Sequence, residues 1–260
     1  MPRKKKSEEL VEETETSEKK EEKLDKLSKL REKAKELAEK IDSSEELSLK
    51  EKVKSAEDKK ENLLVPIEDY LKSSIHLGTR AITPDMKQYV YKRRADSLAV
   101  FNTTLLDQKI LEGAEYLSKY SQKDIIVICK RDAGIKAVEL FSKVTGIRVF
   151  AKNYPAGILT NPNLENFIET ELVFICDPWT DKSALADAKK IKIPVLAICD
   201  TNNYTLGVDK VIPGNNKSAK SLGMIFYLLT KLYVEKRGLE VGIPPIQSYI
   251  DGWDNLQPPK

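Results

Sequence analysis

Ile125-Ile126-Val127-Ile128-Cys129 is the stretch on which the fold is decided. Four of its five residues are β-branched, and polar residues do not alternate with them. A strand with one wet face alternates; a continuous apolar run implies a strand covered on both faces, as in a parallel sheet between layers of helices. Leu172–Cys176 and Val195–Cys199 repeat the form. Ile147–Phe150 and Val208–Ile212 read as shorter strands of the same sheet. Between and after them, the spacing of apolar residues predicts helices over Gly134–Val144, Lys182–Lys190 and Ala219–Lys236, the first stopped by Gly146. Strands alternating with helices make the fold class α/β: a doubly wound parallel sheet of about five strands with right-handed crossovers.

Upstream of that core, Ser97–Phe101 reads as a short apolar strand opening the same rhythm. Asn102, Thr103 or Thr104 can cap a long helix whose inner face is Leu105, Ile110, Leu111, Ala114 and Leu117. A loop holding Gly78 and Pro84 precedes it. Before the loop, Pro66 suits the first turn of a helix, with Ile67, Tyr70, Leu71 and Ser74 on one face.

The composition changes at residue 62. Residues 1–62 carry 18 Lys+Arg and 19 Asp+Glu and no aromatic residue, too little apolar surface to offset the entropy of ordering. Within them, Leu27, Leu30, Ala34, Leu37 and Ile41 form a two-heptad apolar stripe, too short for a stable lone helix. The tail is therefore expected to be disordered or transiently helical, and its stripe to suit docking on a partner. Arg3-Lys4-Lys5-Lys6 offers four cations to phosphate. Residues 63–238 are expected to form the α/β domain, and 239–260 an extended C-terminal segment. From residue 63 onward, 26 of the chain's 44 cations face 22 of its 41 acids, a mild basic excess that suits a polyanion without demanding one. No apolar run approaches the roughly 20 residues of a membrane span, and MPRKKKSEEL lacks a signal-peptide core, so the expectation is a soluble intracellular protein.

Cys129, Cys176 and Cys199 each end an apolar run, in no CxxC pair and in odd number. They read as buried free thiols of a reducing compartment. Doubly wound sheets often hold nucleotides at the carboxyl ends of their strands, so those ends need inspection. No GxGxxG follows the first strand. Gly214-Asn215-Asn216-Lys217-Ser218 echoes a phosphate loop but lacks its glycine pattern. An anion-facing helix N-terminus with Lys217 nearby fits that segment better. Asp177 and Asp200 stand just past two strands, where carboxylates hold Mg²⁺ or act as bases, and where they equally cap helices or brace turns. Without a phosphate loop beside them the bracing role is favoured. A nucleotide- or small-molecule-binding enzyme using these carboxylates stays as the alternative function.

The span from His76 to Arg80, continued by Met86 to Arg94, interleaves cations with aromatic rings. Cations neutralise phosphates, and rings stack on unpaired bases. The same composition suits a surface loop and an edge strand with half-buried tyrosines, and composition does not choose between the two.

Four ordered strings supply a choice. SSIHLGTR with PDMKQYVYKRRADSLAVFN, then KRDAGIKAVELFSKVTGIRVFAKNYPAGILTNP, DPWTDKSALADAKKIKIPVLAICDTNN and VDKVIPGNNKSAKSLGMIFYLLTKLYVEKRG, resemble the universal small-subunit ribosomal protein S2 family. The similarity runs from about Pro66 to Gly238 and fits the archaeal and eukaryotic branch, which includes protein SA, the laminin-receptor precursor. The bacterial branch carries a protruding helical hairpin; here a single helix joins Phe101 to Ile125. The chain ends with PPIQSYIDGWDNLQPPK, without the long acidic extension of animal members, so the archaeal type fits best. Its charged 62-residue start departs from the compact start of the family. The resemblance implies a flavodoxin-like sheet and a structural, non-catalytic role in the small ribosomal subunit. The implied partners are small-subunit ribosomal RNA and neighbouring ribosomal proteins, with no cofactor, metal, membrane or small-molecule substrate. The implied location is cytoplasmic and ribosome-bound. By matched position, the RNA-facing candidates are His76, Thr79, Arg80, Lys87, Tyr91, Arg93 and Arg94, with Asn215, Asn216, Lys217 and Lys220 from the Gly214 loop.

Overall fold

The computed structural model describes residues 63–256. The apolar stripe at Leu27–Ile41 and the basic cluster at Arg3–Lys6 lie outside the described residues.

The first described helix is α1, Ile67–Ser73, followed by the hairpin strands β1, Val90–Arg93, and β2, Ala99–Phe101. Then come α2, Thr103–Ser118; β3, Ile125–Cys129; α3, Asp132–Thr145; and β4, Arg148–Ala151. The chain continues through β5, Leu172–Ile175; α4, Lys182–Ile191; β6, Val195–Cys199; β7, Lys210–Pro213; α5, Ala219–Arg237; and the short α6, Ile246–Tyr249.

The five parallel strands stand in the order β4-β3-β5-β6-β7. Counted from β3, this is the 2-1-3-4-5 order of the flavodoxin-like class, whose direction of winding reverses between β3 and β5. Every residue of β3, β5 and β6 is buried, as their unbroken apolar runs require. α5 packs against both α2 and α3, α2 also meets β7, and α3 meets β3 and β4. One layer of helices thus covers one face. Right-handed crossovers put α4, which lies on β5 and buries Ala184 and Ala188, on the other.

The alternation of strand and helix is incomplete. No helix joins β4 to β5 or β6 to β7. The first of these connections is rich in Pro, Asn and Gly, and plugs its face of the sheet with the buried Ile158 and Leu159. The Asp187 side chain of α4 pins it by accepting from Tyr154 Oη and Gly157 N, both at 3.1 Å.

Two further expectations are corrected. Ser97–Phe101 is not a strand of the main sheet: only Ala99–Phe101 is extended, and it pairs antiparallel with β1 in a separate two-stranded ribbon. On α2 the buried leucine is Leu106 rather than Leu105, alongside Ile110, Ala114 and Leu117. Asn102 is the cap, its side chain accepting from Thr104 N at 3.1 Å. The α2 face also buries Asp107, which accepts from Tyr70 Oη of α1 and from Leu64 N. Two polar bonds therefore tie the start of the described chain to the domain.

The segment after Gly238 is not simply extended. It forms α6 and one 3-10 turn, and it lays the apolar side chains of Tyr249, Ile250 and Trp253 on the domain. It can come this close because α5 carries glycine at 223: a Cβ there would meet Ile250 Cγ1 at 2.6 Å and Tyr249 O at 2.9 Å.

Candidate RNA-binding surface

Polar loops follow the buried strands at their carboxyl ends and gather at one end of the sheet. β6 runs into Asp200-Thr201-Asn202-Asn203, and β5 into Asp177-Pro178-Trp179-Thr180. The loop between α1 and β1 folds over the end of β6. Thr79 N donates to Thr201 Oγ1 at 2.8 Å, Thr83 N to Thr201 O at 2.9 Å, and Thr83 Oγ1 to Asn203 O at 2.7 Å. Gly78 is needed for this approach, since a Cβ there would lie 2.5 Å from Thr201 Cγ2. The Gly214 loop joins from β7, with Asn215 N donating to Ile75 O at 3.2 Å. The two groups of candidates, far apart in sequence, thus come together on the carboxyl-end face.

Their side chains do not all face outward. His76 is 7% exposed, and its Nδ1 lies 3.1 Å from Tyr70 O. Burial, followed by the charge of Arg94, lowers its pKa against the raising effect of that hydrogen bond. Asn216 is 1% exposed; its Nδ2 donates to Asn203 Oδ1 at 3.0 Å and reaches Ile198 O at 3.4 Å. These two side chains brace the loops. Thr79 is half-buried, its hydroxyl donating to Ala81 O. Asn215 turns back on its own loop, accepting from Lys217 N at 2.9 Å and Ser218 N at 3.3 Å at the start of α5.

Arg80, Lys87, Tyr91, Arg93, Arg94, Lys217 and Lys220 are exposed. Tyr91, 69% exposed, carries Lys92 over its ring at 5.7 Å. The β1–β2 ribbon that holds Tyr91, Arg93 and Arg94 is fastened to the same loop, Phe101 N donating to His76 O at 2.8 Å and Gly78 N to Ala99 O at 2.9 Å. The cations of the ribbon therefore belong to the same rigid surface as the loop.

Under this surface the strand-end carboxylates are braces. Burial would raise the Asp177 carboxyl, but hydrogen bonds from Thr180, Arg131 and Trp179 N hold it below the ordinary carboxylate range. Arg131 is its ion-pair partner, and Asn203 Nδ2 donates to it at 3.1 Å. Asp200 is driven up by burial despite Thr201 N and Lys217, whose Nζ stands 3.5 Å from Asp200 Oδ2. All three cysteines are free and buried, and burial pushes the Cys176 and Cys199 thiols well up. Reactive thiols need the opposite shift. No cluster of three or more His, Cys, Asp or Glu able to hold a metal occurs among the described residues, and none of their helices is long and apolar enough to cross a membrane.

Sequence reading does not single out Arg131, Thr201, Asn203 or Trp179 for this surface. Their signal is positional: each lies within four residues after a strand that ends at the loop cluster.

Comparison with known proteins places the chain. The family model described as Ribosomal protein S2 matches residues 163–235. The small ribosomal subunit protein uS2 of Nanoarchaeum equitans is 42% identical over 176 residues, 68% of this chain and 88% of that protein. The protein of the same name from Methanococcus maripaludis is 41% identical over 179 residues, 69% of this chain and 81% of the relative. That of Thermoplasma acidophilum is 34% identical over 194 residues, 75% of this chain and 98% of the relative.

Proposed function

Because this chain belongs to the ribosomal protein S2 family, archaeal and eukaryotic branch, we propose how it serves the small ribosomal subunit. It is a structural constituent of that particle, and its carboxyl-end face is the surface that meets small-subunit ribosomal RNA. The observation that carries the assignment of the face is the convergence of two family-matched segments on one rigid surface with their cations outward. Arg80, Lys87, Arg93 and Arg94 come from one segment, and Lys217 and Lys220 from the other.

The chemistry is that of backbone recognition. Exposed arginines and lysines displace counterions from phosphates, and such contacts set position and register rather than reading sequence. The first turn of α5 adds N–H groups: Ser218, its N-cap, makes no side-chain cap. Tyr91 offers a ring to an unpaired base beside those phosphates. His76, Thr79, Asn215 and Asn216 serve the surface by holding its loops in register. Residues 1–62 and the rest of the exposed domain are left for neighbouring ribosomal proteins, and a ribosome-bound, cytoplasmic location follows from the role. The division of the chain at residues 62 and 238 belongs to the same proposal.

The alternative, an enzyme working through Asp177 and Asp200, is not favoured. Both carboxylates serve as buried braces, each paired with a cation rather than open to a substrate.

The test is sedimentation. The tagged chain expressed in its own cells should travel with small subunits at physiological salt. Recovery wholly in ribosome-free fractions would overturn the reading.

A further inference from the structure

Two hollows lie side by side at the carboxyl ends of the strands, sharing Trp179 and Asn203. The first, about 300 Å³, is apolar, with Pro178, Leu185, Tyr204 and Leu206 on its walls. The second, about 290 Å³, is about as polar as apolar and is lined by Arg131, Asp177, Thr180, Asn202, Asn216 and Lys217. The second lies at the point between β3 and β5 where the winding reverses, since Arg131 follows β3 and Trp179 follows β5, and the first lies beside it over the ends of β5 and β6. In open α/β sheets this crevice is the usual place for a ligand.

Three buried polar atoms of residues lining the second hollow have no hydrogen-bond partner: Arg131 Nε, Asn202 Oδ1 and Asn216 Oδ1. Buried polar atoms are seldom left unmatched in a folded protein. The Asn216 amide cannot simply turn over, because its Nδ2 is committed to Asn203 Oδ1 and Ile198 O. The residues that carry one unmatched donor and two unmatched acceptors therefore line one small space, with those atoms just beneath its wall. Beside it Trp179 is 57% exposed and Tyr204 68% exposed, large rings that a folded protein usually covers. Lys182 Nζ stands 5.8 Å from the Trp179 ring.

We propose that this double hollow holds one unpaired RNA nucleotide, with its base stacked on Trp179, its ribose or base N–H and O–H groups donating to Asn202 and Asn216, and its phosphate facing Arg131 and Lys217. The proposal rests on the ribosomal RNA reading above and deepens it, adding a nucleotide-sized pocket to a surface otherwise built for phosphates. A nucleotide matches every unusual feature at once. Its base supplies the aromatic face, its hydroxyls and amino groups supply donors for the two carbonyl oxygens, and its phosphate supplies acceptors for Nε and Nζ. An apolar protein side chain would fill the first hollow and leave all three polar atoms in the second unmatched. Arg131 and Lys217 are held in place by Asp177 and Asp200, which offset their charge, so the phosphate meets positioned N–H donors rather than a net positive site.

The experiment uses the full chain and its tryptophan fluorescence. The chain has two tryptophans, and Trp253 is only 9% exposed, so quenching by a ligand at the hollow reports on Trp179. A single-stranded oligoadenylate should quench Trp179. In filter binding, Trp179→Ala should weaken that oligomer about tenfold, the scale of one lost base–aromatic stack, while Trp179→Phe keeps most of the affinity. A duplex RNA of equal length should not quench. Unchanged affinity in Trp179→Ala overturns the proposal. So does equal affinity for adenosine monophosphate and the oligomer, which would assign the hollow to a free nucleotide. If the chain enters small subunits while the oligomer leaves Trp179 unquenched, the hollow belongs to a protein side chain and the ribosomal reading stands without it.

Discussion

Replacing Asp181 by asparagine should make the protein more stable at pH 8 than the unsubstituted chain, by a margin that shrinks as the pH falls. Asp181 is 2% exposed beneath the carboxyl-end face; it accepts from Lys130 N at 3.2 Å, and its Oδ2 has no partner. Burial, followed by the charge of Asp177, pushes its carboxyl up to about 7 from the ordinary 3.8. Below pH 3.8 the group is neutral in both folded and unfolded chains and costs nothing. Between that value and about 7 the unfolded chain gives up the proton while the folded chain keeps it, so stability falls as pH rises. Above about 7 both are charged and the whole penalty, about 4 kcal/mol, is present. Asparagine carries no charge at any of these values. Asp177, held low by Thr180 and Arg131 against its burial, stays ionised throughout and so drops out of the difference. Urea unfolding of both proteins at pH 5, 6, 7 and 8 measures it. The stability of Asp181→Asn relative to the parent should improve by about 3 kcal/mol between pH 5 and 8. A difference that stays flat, within about 1 kcal/mol, would refute the account of this buried carboxyl.

Other perturbations separate binding from bracing. Arg93→Glu combined with Arg94→Glu should weaken incorporation into small subunits with little change in melting temperature, and should flatten the salt dependence of RNA binding by about one unit of slope per lost phosphate contact; unchanged incorporation removes that ribbon from the RNA surface. Lys220→Ala should lower RNA affinity and leave stability alone, whereas Asn216→Ala should lower stability by about 0.5–1.5 kcal/mol by removing one of the two donors to the buried Asn203 Oδ1, which keeps Asp200 N, as thermal unfolding will report. Gly223→Ala, which on an open helix gains about 1 kcal/mol, should here cost about 1–3 kcal/mol and raise amide exchange over residues 246–256, because the new Cβ meets Tyr249 O; a stabilised variant contradicts the packing described for the C-terminal segment.

The parts of the fold that are legible in the sequence are those whose environment is uniform along the chain. β3 and β6 fall on the residues expected, because a strand buried on both faces writes itself as an unbroken apolar run. Gly146 stops α3 as expected, in the left-handed conformation that glycine adopts without cost. The ribbon strand β2 is not legible as a ribbon, because three apolar residues carry no information about which strand they pair with. Leu105 and Leu106 are easily exchanged because adjacent leucines offer a helix two nearly equivalent phases.

The candidate surface is legible in its charges and not in its braces. Exposure of Arg80, Arg93 and Arg94 follows from what arginine costs to bury. His76 and Asn216 look equally polar in sequence, yet each is anchored inside through one nitrogen by a carbonyl or amide that only the folded chain brings near. Trp179 escapes notice for the opposite reason: a large ring suits a core, and its exposure becomes visible only when the loops after β5 and β6 are placed side by side.

The most direct test of the central claim is a map of the small ribosomal subunit purified from cells that make this chain. The account predicts the domain on the particle with the carboxyl ends of β3, β5 and β6 turned to ribosomal RNA, and Arg93, Arg94 and Lys220 within reach of phosphates. A subunit that lacks the chain, or one that holds it with this face open to solvent and a different face on the RNA, would contradict it.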